Sequence, residues 1–381
     1  MRGPPGRERA TPFLATDVFR MAEEVGRRSF GGQRLTTRAD GLKGRCAVRF
    51  TALGLFVTWV LAIATSAMAT SMDDVVAEVS PLLATRDPAN SVVNPASGYS
   101  GVALVLLQTA NGTVNGSGVL ISGVNGDFVL TSAHLVQPMT NASQSEVWFQ
   151  VPTGWAGVGI AATYIPQGWD ALHYANGYDI ALIKLASSAP AGATPYALYR
   201  GGNEVGQVGT KVGYGLPGTG NGDPTGVPGI KRYGTNRYDA LGDVFDGIKS
   251  PNGVLHPLTD SELAYDFDNG LAANDAFGYF FGIHDLGEPN EVSPTPGDSG
   301  GPTFIDGKIA GITSYALRLA NADGTTSDID GTLNETFGEF AVDTRVSYYA
   351  DWIDSVVAPE PLTASATLLG LAVLVRYLRR R

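Results

Sequence analysis

The 381-residue chain has one cysteine and four histidines. A single cysteine excludes an intrachain disulfide scaffold. Charged residues make up only 17% of the chain, and neither of its long apolar runs reaches the ~18 residues that a spanning helix needs. Extended helical periodicity is also missing, except near residue 350. What remains is 44% hydrophobic and 9% aromatic, too apolar for a disordered chain and long enough for one large or two ordinary domains.

Charge is unevenly spread. Residues 1–69 carry eleven Lys/Arg against five Asp/Glu, and residues 359–381 carry four against one, so residues 70–358 hold a net charge of −20. A body this acidic is repelled by a phosphate backbone, which argues against nucleic-acid binding.

The basic ends read as export signals. Lys43, Arg45 and Arg49 precede the apolar run Ala52 to Ala64, and Ala67-Met68-Ala69 follows with small residues where a signal peptidase reads. Cleavage is expected before Thr70, and Cys46 leaves with the signal. Residues 1–42 are longer than an n-region requires, which points to translation starting downstream, and Arg27-Arg28 lies too far from the apolar run to act as a twin-arginine motif.

At the other end Pro359-Glu360-Pro361 is followed by the apolar run Leu362 to Val375 and then by Arg376, Arg379, Arg380 and Arg381. The order resembles the PEP-CTERM sorting signal of Gram-negative envelope proteins. That resemblance implies an exosortase as processing partner and membrane attachment through the C-terminal segment, with the arginines on the cytoplasmic side. It places the body outside the cytoplasm, in the periplasm or at the cell surface.

Within the body, glycine supplies 40 of 289 residues, twice the ordinary share of ~7%. Short β-branched or alternating runs cover 102–108, 118–122, 128–132, 147–151, 180–185, 207–213, 302–305 and 309–314. Turn signals separate them at Asn111-Gly112, Asn115-Gly116, Asn125-Gly126 and Asp306-Gly307. Tyr349, Trp352, Ile353 and Val356 share one face of a C-terminal helix over 346–356. The body is expected to be all-β with that helix at its end.

Three motifs carry chemistry. His134 follows an apolar strand in Leu130-Thr131-Ser132-Ala133-His134, Asp179 opens another in Asp179-Ile180-Ala181-Leu182, and Ser299 sits among glycines in Gly297-Asp298-Ser299-Gly300-Gly301-Pro302. A serine hydroxyl is a weak nucleophile at neutral pH. A neutral imidazole must take its proton, and a carboxylate must hold the imidazole's tautomer and stabilise the imidazolium. The order His, Asp, Ser differs from that of subtilisins and α/β-hydrolases.

These residues resemble the trypsin-like serine peptidases over 98–356. The resemblance implies a chymotrypsin-like double β-barrel and peptide-bond hydrolysis without a cofactor or metal. It makes His134 the general base, Asp179 its orienter and Ser299 the nucleophile. The N–H groups of Gly297 and Ser299 form the oxyanion hole, Ser314 supports the triad aspartate, and Asp298 is the buried carboxylate of the oxyanion loop. Ser293 lies at the base of the specificity pocket with Tyr315 and Ala316 as its wall; an uncharged base argues for a small or apolar residue before the cleaved bond. The disulfide that braces this pocket in many relatives is missing, and no Ile-Val-Gly-Gly terminus precedes Gly98 to pair with Asp298. Residues 70–97 are therefore a mature N-terminal segment or a propeptide, with Arg86 a conceivable cleavage point. A catalytically inactive surface binding or matrix protein, and an esterase using the same triad, are the alternatives.

His173, His256 and His284 lack such a context and are expected on the surface. Between Asp179 and Ser299 the stretch 238–278 is acidic. Its Asp266-Phe267-Asp268-Asn269-Gly270 lacks the later glutamate of an EF-hand loop, so a solvated insertion that covers the cleft or docks a partner is expected.

Overall fold

The computed structural model describes residues 76–80, 98–251 and 253–358. The expected signal peptide and the Pro-Glu-Pro, apolar and arginine parts of the C-terminal signal lie outside these residues. Among the described residues no helix is long and apolar enough to cross a membrane.

A short strand β1 (Val76–Ser80) comes first. Six antiparallel strands follow: β2 (Val102–Thr109), β3 (Gly112–Gly123), β4 (Gly126–Thr131), β5 (Met139–Val151), β6 (Gly154–Tyr164) and β7 (Ala181–Leu185). They close into a barrel in the order β2-β3-β4-β7-β6-β5. The period-2 alternation of each strand divides its apolar residues between two clusters. Val105, Leu107, Leu120, Val129, Val147 and Ile183 fill the barrel. Leu104, Val119, Ile121, Leu130 and Leu182 face outward, into the second half of the molecule.

Asn125-Gly126 and Asp306-Gly307 join neighbouring strands as hairpins, Asn111-Gly112 turns the chain between β2 and β3, and all three glycines are at positive φ. Asn115-Gly116 does not turn the chain: it lies inside β3. Gly116 is there for proximity, because a Cβ would lie 2.2 Å from Leu135 Cδ2.

The second half contains β8 (Val208–Gly213), β9 (Arg232–Arg237), β10 (Ala240–Leu241), β11 (Lys249–Ser250), β12 (Gly253–Val254), β13 (Glu262–Asp266), β14 (Pro302–Ile305), β15 (Lys308–Ala320) and β16 (Phe340–Arg345). Together with β1 they form one curled ten-stranded sheet. The double β-barrel expected from the sequence takes the form of the closed barrel and a curled half-barrel sheet, in which β9 and β13 are not paired with each other. Side chain replaces backbone at that seam: Asn236 Nδ2 donates to the Asp266 carbonyl at 2.7 Å and to the Val292 carbonyl at 3.0 Å.

The expectation of a solvated acidic insertion is overturned in its centre. Asp243, Asp246 and Asp260 are exposed, but Glu262, Asp266, Asp268 and Asp275 are between 0% and 3% exposed. The reason is topological: β13 pairs with β10 on one side and β16 on the other. All five residues of β13 are buried, and the chain that follows carries Asp268 and Asp275 into buried positions as well, which acidic composition alone does not show.

Three α-helices, α1 (Ala133–Val136), α2 (Ala276–Phe281) and α3 (Val346–Val357), and two short 3-10 helices, Tyr174–Asn176 and Gly242–Phe245, lie among the described residues. The expected face of α3 is the one that packs, with Tyr349 and Ile353 buried and Trp352 and Val356 against them. This face joins both halves. We expect Ile353→Ala to lower the unfolding free energy by about 2–5 kcal/mol in chemical denaturation, the cost of an apolar cavity at a fully buried site.

Candidate active site

β4 runs into α1 at Ser132, whose extended backbone (φ −88°, ψ 151°) starts the short helix that carries His134. Asp179 lies two residues before β7, the neighbour of β4 in the barrel. The pairing of the two strands is what brings acid and imidazole together. The Asp179 carboxylate is fully buried. Its Oδ1 accepts the His134 backbone N–H at 2.8 Å, its Oδ2 lies 2.6 Å from His134 Nδ1, and Oδ2 also accepts the Ser314 hydroxyl at 2.5 Å. The Asp179 carbonyl accepts the Thr344 hydroxyl at 2.7 Å. An ionised Asp179 therefore holds the imidazole proton on Nδ1 and leaves Nε2 as the acceptor.

Ser299 is 6% exposed. Its loop is fixed from both halves. Ser117 N donates to the Ser299 carbonyl at 2.8 Å, and Ser117 Oγ donates to the Gly297 carbonyl at 2.8 Å. Gly300 N donates to the Thr313 carbonyl and Thr313 N returns the bond to the Gly301 carbonyl, both at 2.9 Å. Gly300, at φ +81°, abuts the end of β4, where a Cβ would lie 2.0 Å from Thr131 Oγ1 and 2.9 Å from Ser132 N. The nucleophile loop thus touches the residues that lead into His134. No hydrogen bond joins Ser299 Oγ to His134 among the described residues, a contact that commonly tightens only when substrate is bound.

Gly297 adopts φ +104°, and a Cβ there would meet Asn115 Nδ2 at 2.6 Å. The Pro296 carbonyl accepts Leu216 N–H at 3.1 Å, which turns the N–H of Gly297 to the opposite side of that peptide. Among the described residues neither the Gly297 nor the Ser299 N–H donates to a protein acceptor. Two adjacent undonated N–H groups beside a serine can receive an oxyanion.

Asp298 has found partners without a new amino terminus. Its Oδ1 accepts Gly215 N–H at 2.8 Å, and its Oδ2 accepts Thr295 N–H at 3.1 Å and the Thr295 hydroxyl at 3.2 Å. Burial pushes the carboxyl up to about 6, opposed by the Gly215 N–H, the Arg232 charge, the Thr295 hydroxyl and the more distant Lys211. Arg232 and Lys211 are the cations near Asp298, and nothing in their local sequence marks them.

Ser293 is buried and lines a crevice with Thr313, Arg232 and Asp298. Tyr315 and Ala316 are buried as well. Tyr315 packs with Leu317 and Phe340 and donates its hydroxyl to Glu262 Oε2 at 2.9 Å. Burial holds the Glu262 carboxyl up at about 8, with the Tyr315 hydroxyl pulling it down and Asp179 adding to the rise. The edge of β15 beyond Tyr315 is occupied: β1 runs antiparallel to it from Val76↔Ala320 to Ser80↔Ala316. His173, His256 and His284 are on the surface, each beside an aspartate.

Residues 93–230 match the family model described as Trypsin, a stretch that contains His134 and Asp179 and ends before the Ser299 loop. No curated protein matches the chain. Among solved structures, HL collagenase at 1.7 Å resolution is similar at 19% identity, over 70% of this chain and 96% of its own, with a TM-score of 0.45.

A side chain at Gly300 meets both a positive φ and the Thr131 hydroxyl. Gly300→Ala is expected to destabilise the fold by at least about 1–3 kcal/mol, read as a lowered thermal midpoint.

Proposed function

We propose that the chain is an exported serine endopeptidase of the trypsin-like class. The observation that carries this reading is the Asp179 carboxylate bound at once to His134 Nδ1, the His134 backbone and Ser314, beside a loop that presents Ser299 with two undonated N–H groups. The match of residues 93–230 to the trypsin family supports it.

In this reading His134 Nε2 takes the Ser299 proton as Oγ attacks a peptide carbonyl. The oxyanion that forms is received by the Gly297 and Ser299 N–H groups, each donor of this kind contributing about 3–4 kcal/mol to the transition state. Asp179 stabilises the imidazolium while remaining ionised, and His134 then gives its proton to the leaving amine. Water repeats the sequence on the acyl-enzyme. The substrate is a protein or peptide, and the basic N- and C-terminal segments serve signal peptidase, an exosortase and the membrane in delivering the enzyme to the cell envelope.

The lack of a Ser299–His134 hydrogen bond favours a second reading, a binding or matrix protein that kept these residues without turnover. A fluorophosphonate probe separates the two, and a parallel peptide and ester profile separates peptidase from esterase. The full chain is expected to be labelled at Ser299, and both Ser299→Ala and His134→Ala to abolish labelling and lower kcat by roughly 10⁴- to 10⁶-fold. A folded, unlabelled wild type would support the binding reading.

We propose that residues 70–97 act as a propeptide rather than as a mature segment; β1 within them lies antiparallel on the β15 edge and runs toward Ser314. A peptide stretched across Ser299 would approach along that edge. Proline lacks the N–H that a ladder needs. Introducing Ala77→Pro with Glu78→Pro, which covers both pairing phases, is therefore expected to raise hydrolysis of long peptides several-fold while fluorophosphonate labelling stays unchanged. Equal hydrolysis with equal labelling would remove the propeptide role and leave the peptidase reading intact.

A further inference from the structure

The seam between β9 and β13 gathers acid without matching base. Oxygen atoms of Asp266, Asp268 and Asp275 lie within 4.8 Å of one another, and all three residues are buried. Asp268 is 2% exposed, and its Oδ1 has no hydrogen-bond partner. Two further acids, Asp239 and Glu291, line the crevice on the Asp266 and Asp268 side. Neighbouring arginine is already engaged: Arg237 pairs with Asp285 and Glu288. Among the described residues no Lys or Arg forms an ion pair with the three clustered aspartates, and His284, largely exposed, touches Asp275 from outside at 3.1 Å.

Burying ionised carboxylates without a counter-charge is costly, and buried charges are ordinarily paired or coordinate metals. The other donors to this cluster are neutral. Phe277 N–H donates to Asp266 Oδ2 and Gly278 N–H to Asp275 Oδ1, while the Asp268 N–H is itself donated to Glu291 Oε1. These bonds orient the carboxylates and leave Asp268 Oδ1 open.

We propose that Asp266, Asp268 and Asp275 bind a calcium ion. The donor set is all oxygen, which selects a hard cation over zinc or copper. Calcium takes oxygens at about 2.3–2.6 Å, so its ligands stand at most about 5 Å apart, matching the spacing of this cluster. Magnesium, at about 2.0–2.1 Å and strictly octahedral, demands a tighter set. Three carboxylates, mono- or bidentate, supply three to six of the six to eight oxygens, and water completes the shell. Gly287 keeps the neighbouring backbone clear, since a Cβ there would lie 2.3 Å from Glu291 Oε2. The calcium ion closes by charge the seam that backbone hydrogen bonds leave open.

The test is equilibrium dialysis of the full chain with radioactive calcium, alongside thermal unfolding in CaCl₂, MgCl₂ and EGTA. One calcium per chain is expected, with a thermal midpoint higher by about 5 °C or more at a hundredfold excess over Kd, and a smaller response to magnesium. Asp268→Asn keeps the shape, removes one charge and is expected to lose the calcium response while melting in EGTA no lower than the wild type. A wild type that binds no calcium and melts alike in CaCl₂ and EGTA would overturn the site, as would an Asp268→Asn protein that keeps the full response. Dialysis of the wild type decides the question even where the variant does not fold.

Discussion

The buried carboxylate of Asp179 is the interaction on which the rest of the arrangement depends. A carboxylate at zero exposure is stable only where donors compensate its lost hydration. Its donors here come from α1 and β15, while β16 holds its carbonyl through Thr344. Elements from both halves therefore meet on one residue. Removing any one donor loosens the imidazole and also leaves a buried charge short of a partner, so the site and the packing between the halves fail together.

The second half solves the same problem elsewhere. Asp343 on β16 is fully buried and accepts from Lys211 at 2.7 Å, from the hydroxyls of Thr303 and Tyr238 at 2.5 Å and from the Tyr265 hydroxyl at 3.1 Å. Such a cluster costs much of its Coulomb gain in desolvation, and its clearest effect is to specify one arrangement of the strands that carry it. Those strands are β8, β13, β14 and β16. β14 follows the Ser299 loop directly and β16 carries Thr344, so the network fixes both sides of the candidate nucleophile's setting.

Much of this was legible in the sequence where the signal was local. The hairpins at Asn125-Gly126 and Asp306-Gly307, the apolar alternation of β2 and β14 and the face of α3 all follow from spacing alone. His134, Asp179 and Ser314 were readable through their motifs, and the structure brings these three together. The illegible parts depend on long-range pairing. Arg232 and Lys211 act on Asp298 through their charge, from β9 and β8, and no local pattern announces that placement. Asn115-Gly116 reads as a turn by residue type, yet it serves the close approach of Leu135. The acids of β13 read as solvated because composition carries no information on which strand ends in the middle of a sheet.

The open seam bears on the candidate site through strand register. β13 pairs with β16 from Glu262↔Thr344 to Asp266↔Phe340, so the acidic cluster lies at one end of a ladder whose other end holds the residue that binds the Asp179 carbonyl. A paired strand moves as a unit over so short a distance. Charge repulsion that spreads Asp266 from its neighbours would act along β16 on Thr344, and through the β15–β16 pairing on Ser314. A cation held at the seam would relieve that repulsion without touching the reacting atoms. Asp266 ends β13 beyond the reach of β10, so its carboxylate stands on a part of that strand that β16 alone pairs.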